Sequence, residues 1–262
     1  MKRPSDVTQE IASLSRDLTS VLKVLADRGE SALPAEPESA AVAVSPVAVV
    51  ETGMGEIELP PTDLGKEARM ESLRQQAMEC RRCRLAKERQ KVVFGVGSSS
   101  ARVVLVGEGP GANEDRTGEP FVGRAGQLLN RMLATIGMDR KEVYIANIVK
   151  CRPPRNRDPE PDEIAACRPF LDAQLETLRP EVILALGRPA AQSLLNDQRP
   201  LGQLRSVVHK LGKVALLVTY HPAFLLRNPA RKAAAWEDLQ LLVDVMVSKG
   251  VCGALPEPWW RP

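Results

Sequence analysis

The sequence predicts an α/β protein built on a parallel sheet with helices on both faces. Three observations predict it. Four short runs are almost continuously apolar: "ARVVLVGE", "EVYIANIV", "EVILALG" and "KVALLVTYH". Helical patterns separate these runs, and a glycine-rich turn, "GEGPG", follows the first of them directly. Strands that are apolar on every residue are buried on both faces, as in a parallel sheet jacketed by helices. Ligands of such sheets sit beyond the carboxyl ends of the strands. The residues to inspect are therefore Gly107–Asp115, Asn147–Arg152, Gly187–Arg188 and His221–Arg227.

Along the chain, residues 1–29 form the first element. Ile11, Leu14, Leu18, Val21 and Leu25 recur at three- and four-residue spacing, and Gly29 stands where a C-cap belongs. An amphipathic helix here suits a protein partner or a short coiled coil, and equally a weakly folded extension. Residues 30–64 are rich in Ala, Pro, Val, Glu and Ser without a sustained period, which predicts a disordered linker. The texture changes near residue 65, where a domain over 65–250 begins. Its first helix is "GKEARMESLRQQAMEC", and further helices are expected near 124–137, 161–178, 188–197 and 230–248. Residues 251–262 are a C-terminal tail. No internal repeat is visible.

The chain has 262 residues, 44% of them hydrophobic, enough for one sizeable domain with appendages. Its net charge of +3 is unevenly spread. "RRCRLAKERQK" (81–91) and "KCRPPRNR" (150–157) are strongly basic, and such patches suit a polyanion such as nucleic acid. No stretch approaches the roughly 20 apolar residues of a membrane span. The run "AAVAVSPVAVV" is broken by Pro46 and lies too far in for a signal peptide. The expectation is a cytosolic (cytoplasmic) monomer without membrane contact. Five cysteines in such a chain are ligands or core residues rather than disulfides.

The turn after the first strand is not a nucleotide fingerprint. Gly107 and Gly109 fit G-x-G-x-x-G, but Ala112 takes the third position and Pro110 intervenes. No phosphate loop occurs either. The cysteines are more telling. Cys80 and Cys83 form C-x-x-C, Cys151 and Cys167 follow with fifteen residues between them, and Cys252 is left over as a structural residue. Four thiolates suit zinc or an iron–sulfur cluster, and spacing alone does not choose. A redox C-x-x-C normally opens a helix after a strand, whereas this one closes a helix inside a basic run. The set reads as a staple between the first helix and the loop after the second strand.

"CRRC", "VGEGPGANEDRTGEPFVGRAGQLLN", "VYIANIVKCRPPRNRDPEPDE", the later Cys167 and "HPAFLLRNP" closely resemble, in order and spacing, the type-4 uracil-DNA glycosylases. The resemblance spans about residues 70–247. It implies a three-layer α/β/α sandwich around a four-stranded parallel sheet, with a [4Fe-4S] cluster on Cys80, Cys83, Cys151 and Cys167. It also implies an enzyme that flips uracil out of DNA and hydrolyses its N-glycosidic bond without a Schiff base, leaving an abasic site for base excision repair.

Residue roles follow from that resemblance. Gly107, Glu108 and Gly109 present backbone amides to a uracil carbonyl. Asn147 accepts from N3–H and donates to O4, a pattern that cytosine opposes. Phe121 is the stacking platform. His221 points at O2 as a neutral imidazole and stabilises the departing anion, whereas His209 is structural. Glu114 is the first choice among carboxylates to position water, with Glu108 and Asp115 as alternatives, because Gly109 stands where better-known uracil glycosylases carry an aspartate. Leu225 or Leu226 fills the hole left by the flipped base, and Arg124 and Arg227 hold phosphate. Two other classes stand against this reading: a uracil-DNA binding module with little turnover, and an electron carrier. The sequence leaves open strand preference, activity on other bases and the role of residues 1–64.

Overall fold

A computed structural model describes residues 57–252. The helix expected over 1–29, most of the linker and nearly all of the C-terminal tail lie outside the described residues. The four apolar runs become the strands β2 (Val103–Gly107), β3 (Tyr144–Asn147), β4 (Val182–Leu186) and β6 (Val214–Thr219). They lie side by side in the order β3-β2-β4-β6, and every neighbouring pair is parallel. The sheet nevertheless has six strands rather than four and is mixed. β1 (Val96–Gly97) adds to β3 and β5 (His209–Leu211) adds to β6, both antiparallel. These edges are two and three residues long and only partly buried, so they carry no apolar run to betray them.

Alternation along each strand divides the core. Val104, Val106, Ile183, Ala185, Leu216 and Val218 face one layer, with Leu73 of α1 (Lys66–Glu79), Phe170 and Leu171 of α4 (Pro161–Leu178), and Ala191 of α5 (Arg188–Leu195). Val103, Leu105, Val182, Leu184 and Leu217 face the other. There they meet Leu129 and Leu133 of α3 (Arg124–Thr135), and Leu239 and Leu242 of α8 (Lys232–Ser248). Successive strand side chains point to opposite faces, so burial on both sides requires the continuous apolar runs seen in the sequence. Each fully buried leucine contributes about 1.5–3 kcal/mol relative to exposure.

Three short α-helices also occur: α2 (Ala112–Thr117), α6 (Leu201–Leu204) and α7 (Pro222–Arg227). α2 and α7 follow β2 and β6 closely and so stand at the sheet's carboxyl edge. No helix is long and apolar enough to cross a membrane, among the described residues.

Candidate active site

The carboxyl ends of the parallel strands open onto one cleft of about 670 Å³. Glu108, Gly109, Phe121, Asn147 and His221 all line it. Asn147 ends β3, is 1% exposed, and its Oδ1 is buried without a hydrogen-bond partner among the described residues. An unmet buried acceptor costs about 1–3 kcal/mol, so this atom implies a donor that arrives with a ligand. Gly107 pairs with Asn147 across the strands. A Cβ at Gly107 would lie 2.5 Å from Asn147 Oδ1 and 2.7 Å from Phe121 Cζ, so glycine is what allows amide and ring to meet there.

Phe121 holds a left-handed backbone, φ 53°, unusual for an aromatic residue. Its surroundings enforce that geometry. Arg140 Nη2 donates to Pro120 O at 2.5 Å and Nη1 to Phe121 O at 3.3 Å. On the other side, Val122 N and Gly123 N donate to Glu114 Oε1 at 3.0 and 3.1 Å. The phenyl ring lies 5.4 Å from the His221 ring, centre to centre, tilted by 31°.

His221 caps α7. Its Nδ1 accepts from Ala223 N at 3.1 Å, which places the ring proton on Nε2. Burial, reinforced by the Arg227 charge and opposed by Glu114, pushes its pKa down to about 4. The residue is therefore a neutral donor at physiological pH. Gly187, at φ +94°, makes room for it: a Cβ there would stand 2.9 Å from His221 Cβ. The end of β6 is anchored from α8. Thr219 Oγ1 donates to buried Asp238 at 2.8 Å, Arg205 Nε donates to the same carboxylate at 3.1 Å, and the Arg205 guanidinium lies 5.2 Å from the Tyr220 ring centre. Tyr220 stacks on Phe224 at 5.3 Å.

The two glutamates are used differently. Glu114 Oε2 accepts from Gly111 N at 3.1 Å, the capping bond of α2, while Oε1 already takes two backbone donors. The carboxylate chosen first from the sequence is thus largely spent on tying the glycine turn to the Phe121 loop. Glu108 receives no hydrogen bond on its carboxylate from any described residue. Its pKa is raised to about 7, chiefly by burial and then by the Asp158 charge, against the pull of Arg188 and Arg227. Asp115 is 2% exposed and accepts from Gln90 N at 2.9 Å, so it belongs to the scaffold.

At the rim, Arg188 Nη2 pairs with Asp158 at 2.9 Å, and Arg227 lines the cleft. Arg124, the first residue of α3, is exposed but is not among the lining residues. The two leucines separate. Leu225 is 1% exposed and belongs to the core beneath α7, and Leu226 is the half-buried one of the pair. His209 Nε2 lies 2.7 Å from Leu204 O and is not among the residues lining the cleft. Sequence reasoning missed Tyr220 in the lining, and gave no individual role to Phe224 or Arg157, which lie in stretches it had singled out. The aromatic pair flanking His221 was the available signal for the first two.

Behind the sheet's carboxyl edge, Cys80, Cys83, Cys151 and Cys167 line a second, small hollow. All are free thiols, as is Cys252 outside it. No three Cys, His, Asp or Glu side chains among the described residues draw together as around a single metal ion. The hollow's wall fits an anion. Arg82, which lines it, has Nε and Nη1 buried without partners among the described residues. Arg89 Nη1 donates to Cys151 Sγ at 3.2 Å, and Lys150 N donates to Cys167 Sγ at 3.2 Å. Donors aimed at sulfur are how proteins tune iron–sulfur sites. Burial raises the pKa of Cys83, Cys151 and Cys167, the last to about 12.

Residues 94–240 match the model of the Uracil DNA glycosylase superfamily. A type-4 uracil-DNA glycosylase of Archaeoglobus fulgidus is 46% identical over 188 residues, 69% of this chain and 94% of that protein. One of Thermotoga maritima is 46% identical over 165 residues, 62% and 86% of the two chains. A type-5 uracil-DNA glycosylase of Pyrobaculum aerophilum is 35% identical over 156 residues, 52% and 67% of the two.

Proposed function

Because the chain belongs to the uracil DNA glycosylase superfamily, and within it to the type-4 enzymes, we propose that it releases uracil from DNA by hydrolysing the N-glycosidic bond. The observation that carries the chemistry is the unmet Asn147 Oδ1, buried beside an aromatic ring and a neutral histidine. An extruded base is read in such a pocket by its Watson–Crick edge. Uracil N3–H is the donor that Oδ1 lacks, and the amide N–H group faces O4. Cytosine brings an acceptor at N3, which in this orientation leaves both groups unmet, and unmet buried polar groups discriminate strongly. Phe121 stacks on the ring.

Breaking the N1–C1′ bond sends the electron pair into uracil. His221 Nε2–H stabilises the charge at O2, and so do the backbone amides of the Gly107–Gly109 turn. Such preorganised donors contribute about 3–4 kcal/mol each. Water then attacks the sugar cation. Glu108, with free oxygens at the cleft wall, orients that water and takes its proton, while Glu114 holds Phe121 in place. Arg227 meets phosphate at the rim, with Arg124 further out, and Leu226 occupies the vacated stack.

The four cysteines fit a [4Fe-4S] cluster. When bound, it supplies iron–thiolate links that brace the end of α1 and the loop after β3 against α4. The basic segments 81–91 and 150–157 are in keeping with a DNA-directed enzyme, and a cytoplasmic location goes with that reading.

Incubation with an oligonucleotide carrying one uracil, followed by alkali, tests the function. Strand cleavage dependent on uracil, with stoichiometric free uracil, is expected. A stable protein–DNA complex without free uracil would instead identify a binding module. Three further outcomes are expected. Gly107→Ala forces a methyl against Asn147 Oδ1 and Phe121, and should weaken free-uracil binding by roughly ten- to a hundredfold, given an overpacking cost of about 1–3 kcal/mol. Isothermal titration checks this. The single-turnover rate should rise with pH and level off above about 7, because Glu108 must be ionised to accept a proton and its pKa is about 7. Glu108→Gln should remove that limb and slow the reaction by about a hundredfold.

A further inference from the structure

The cysteine hollow and the base pocket are separate sites, yet one residue that lines the first is bonded to Asn147, which lines the second. Lys150 lies three residues past Asn147 and is 2% exposed. Its main-chain N–H donates to Cys167 Sγ, and Cys151 is its neighbour in the chain. Its side chain folds back, so that Nζ donates to the main-chain oxygen of Asn147 at 3.0 Å and to Gln174 Oε1 at 2.5 Å. Gln174, wholly buried on α4, is itself fixed. Its Nε2 donates to Phe94 O at 2.9 Å and to Tyr144 Oη at 3.1 Å. The ammonium also stands 5.8 Å from the Phe94 ring centre.

No carboxylate among the described residues lies within 4.0 Å of Nζ. A buried cation without an anionic partner is costly, several kcal/mol after relaxation, and lysine is among the residues least often fully buried. The negative charges that act on it are those Cys167 and Cys151 would carry as the thiolates a metal group requires, and, after them, that of Asp172. A simple packing lysine would need neither the return to Asn147 nor this proximity.

We propose that Lys150 is a positioning residue linking the two sites: its charge answers the cysteine-bound cluster, and its Nζ fixes the end of β3 on which the base-reading amide stands. The link rests on the proposed reading of Asn147 and of the cysteine set. It predicts that changes at the cluster are felt as changes in uracil affinity, without Lys150 touching substrate.

The test uses the full chain loaded with iron and sulfide, free uracil as the probe, and Lys150→Met, which keeps the length and removes both charge and donor. Visible iron–sulfur absorption and the thermal midpoint report loading and folding. Two readouts are expected to move together. The dissociation constant for free uracil rises about tenfold, the scale of one lost positioning hydrogen bond. The reduction potential of the cluster becomes more negative, because a nearby positive charge favours the reduced form. A packing role alone would leave the potential in place. If Lys150→Met takes up no cluster, Gln174→Met decides: it keeps the lysine and the N–H to sulfur bond, and should weaken uracil binding severalfold with the potential unchanged. Unaltered uracil affinity in the loaded variant, or an unaltered potential in Lys150→Met, overturns the link. Wild-type protein that binds no uracil or takes up no iron removes the premise, and is distinguished by failing without any substitution.

Discussion

Asn147→Ala is expected to lower kcat/KM on a uracil-containing oligonucleotide by about a thousandfold or more, the range seen when a site built to hydrogen-bond its substrate loses that match. The effect is large because Asn147 does two things at once. Its Oδ1 has no partner until a ligand arrives, so the ligand's N–H gains a full buried hydrogen bond. The residue is also 1% exposed, so water cannot substitute. Affinity for abasic DNA should change little, since the rim arginines are untouched. Steady-state kinetics with both DNAs checks this, and a loss of less than about tenfold would mean that Asn147 does not read the base.

His221→Ala should cost about 100- to 1000-fold in the single-turnover rate, as for loss of one preorganised donor to a developing anion, with substrate affinity less affected. The wild-type profile should show no limb from this residue near its ordinary pKa, because burial holds it at about 4. The sign for stability follows. In the unfolded chain the ring takes a proton below about 6.5, whereas in the folded chain it does so only below about 4. Stability therefore falls as pH drops through that interval, and His221→Ala should flatten this part of the curve. Chemical denaturation at several pH values measures it.

Much of the sheet and the pocket is legible in the amino-acid sequence. The parallel strands are legible because burial on both faces forces a continuous apolar run, as in Val103–Val106 and Val182–Leu186. Gly107, Phe121, Asn147 and His221 are legible because each stands at or just past a strand end or within a motif of known spacing. What escapes depends on longer reach. Arg140 lies 19 residues from the carbonyl of Phe121 that it holds. The division of Glu108 from Glu114 turns on which oxygens the backbone occupies, which no spacing reveals. α2, "ANEDRT", has no apolar face and is fixed instead by the Gly111–Glu114 capping bond. The leucine pair is readable only as a pair, since the phase of α7 decides which one enters the core.

A structure determined with free uracil bound tests the central claim most directly. The predicted result is the base stacked on Phe121, with N3 within hydrogen-bond distance of Asn147 Oδ1 and O2 facing His221 Nε2. Uracil bound elsewhere, or bound in this cleft with Asn147 Oδ1 still unpartnered, would contradict it.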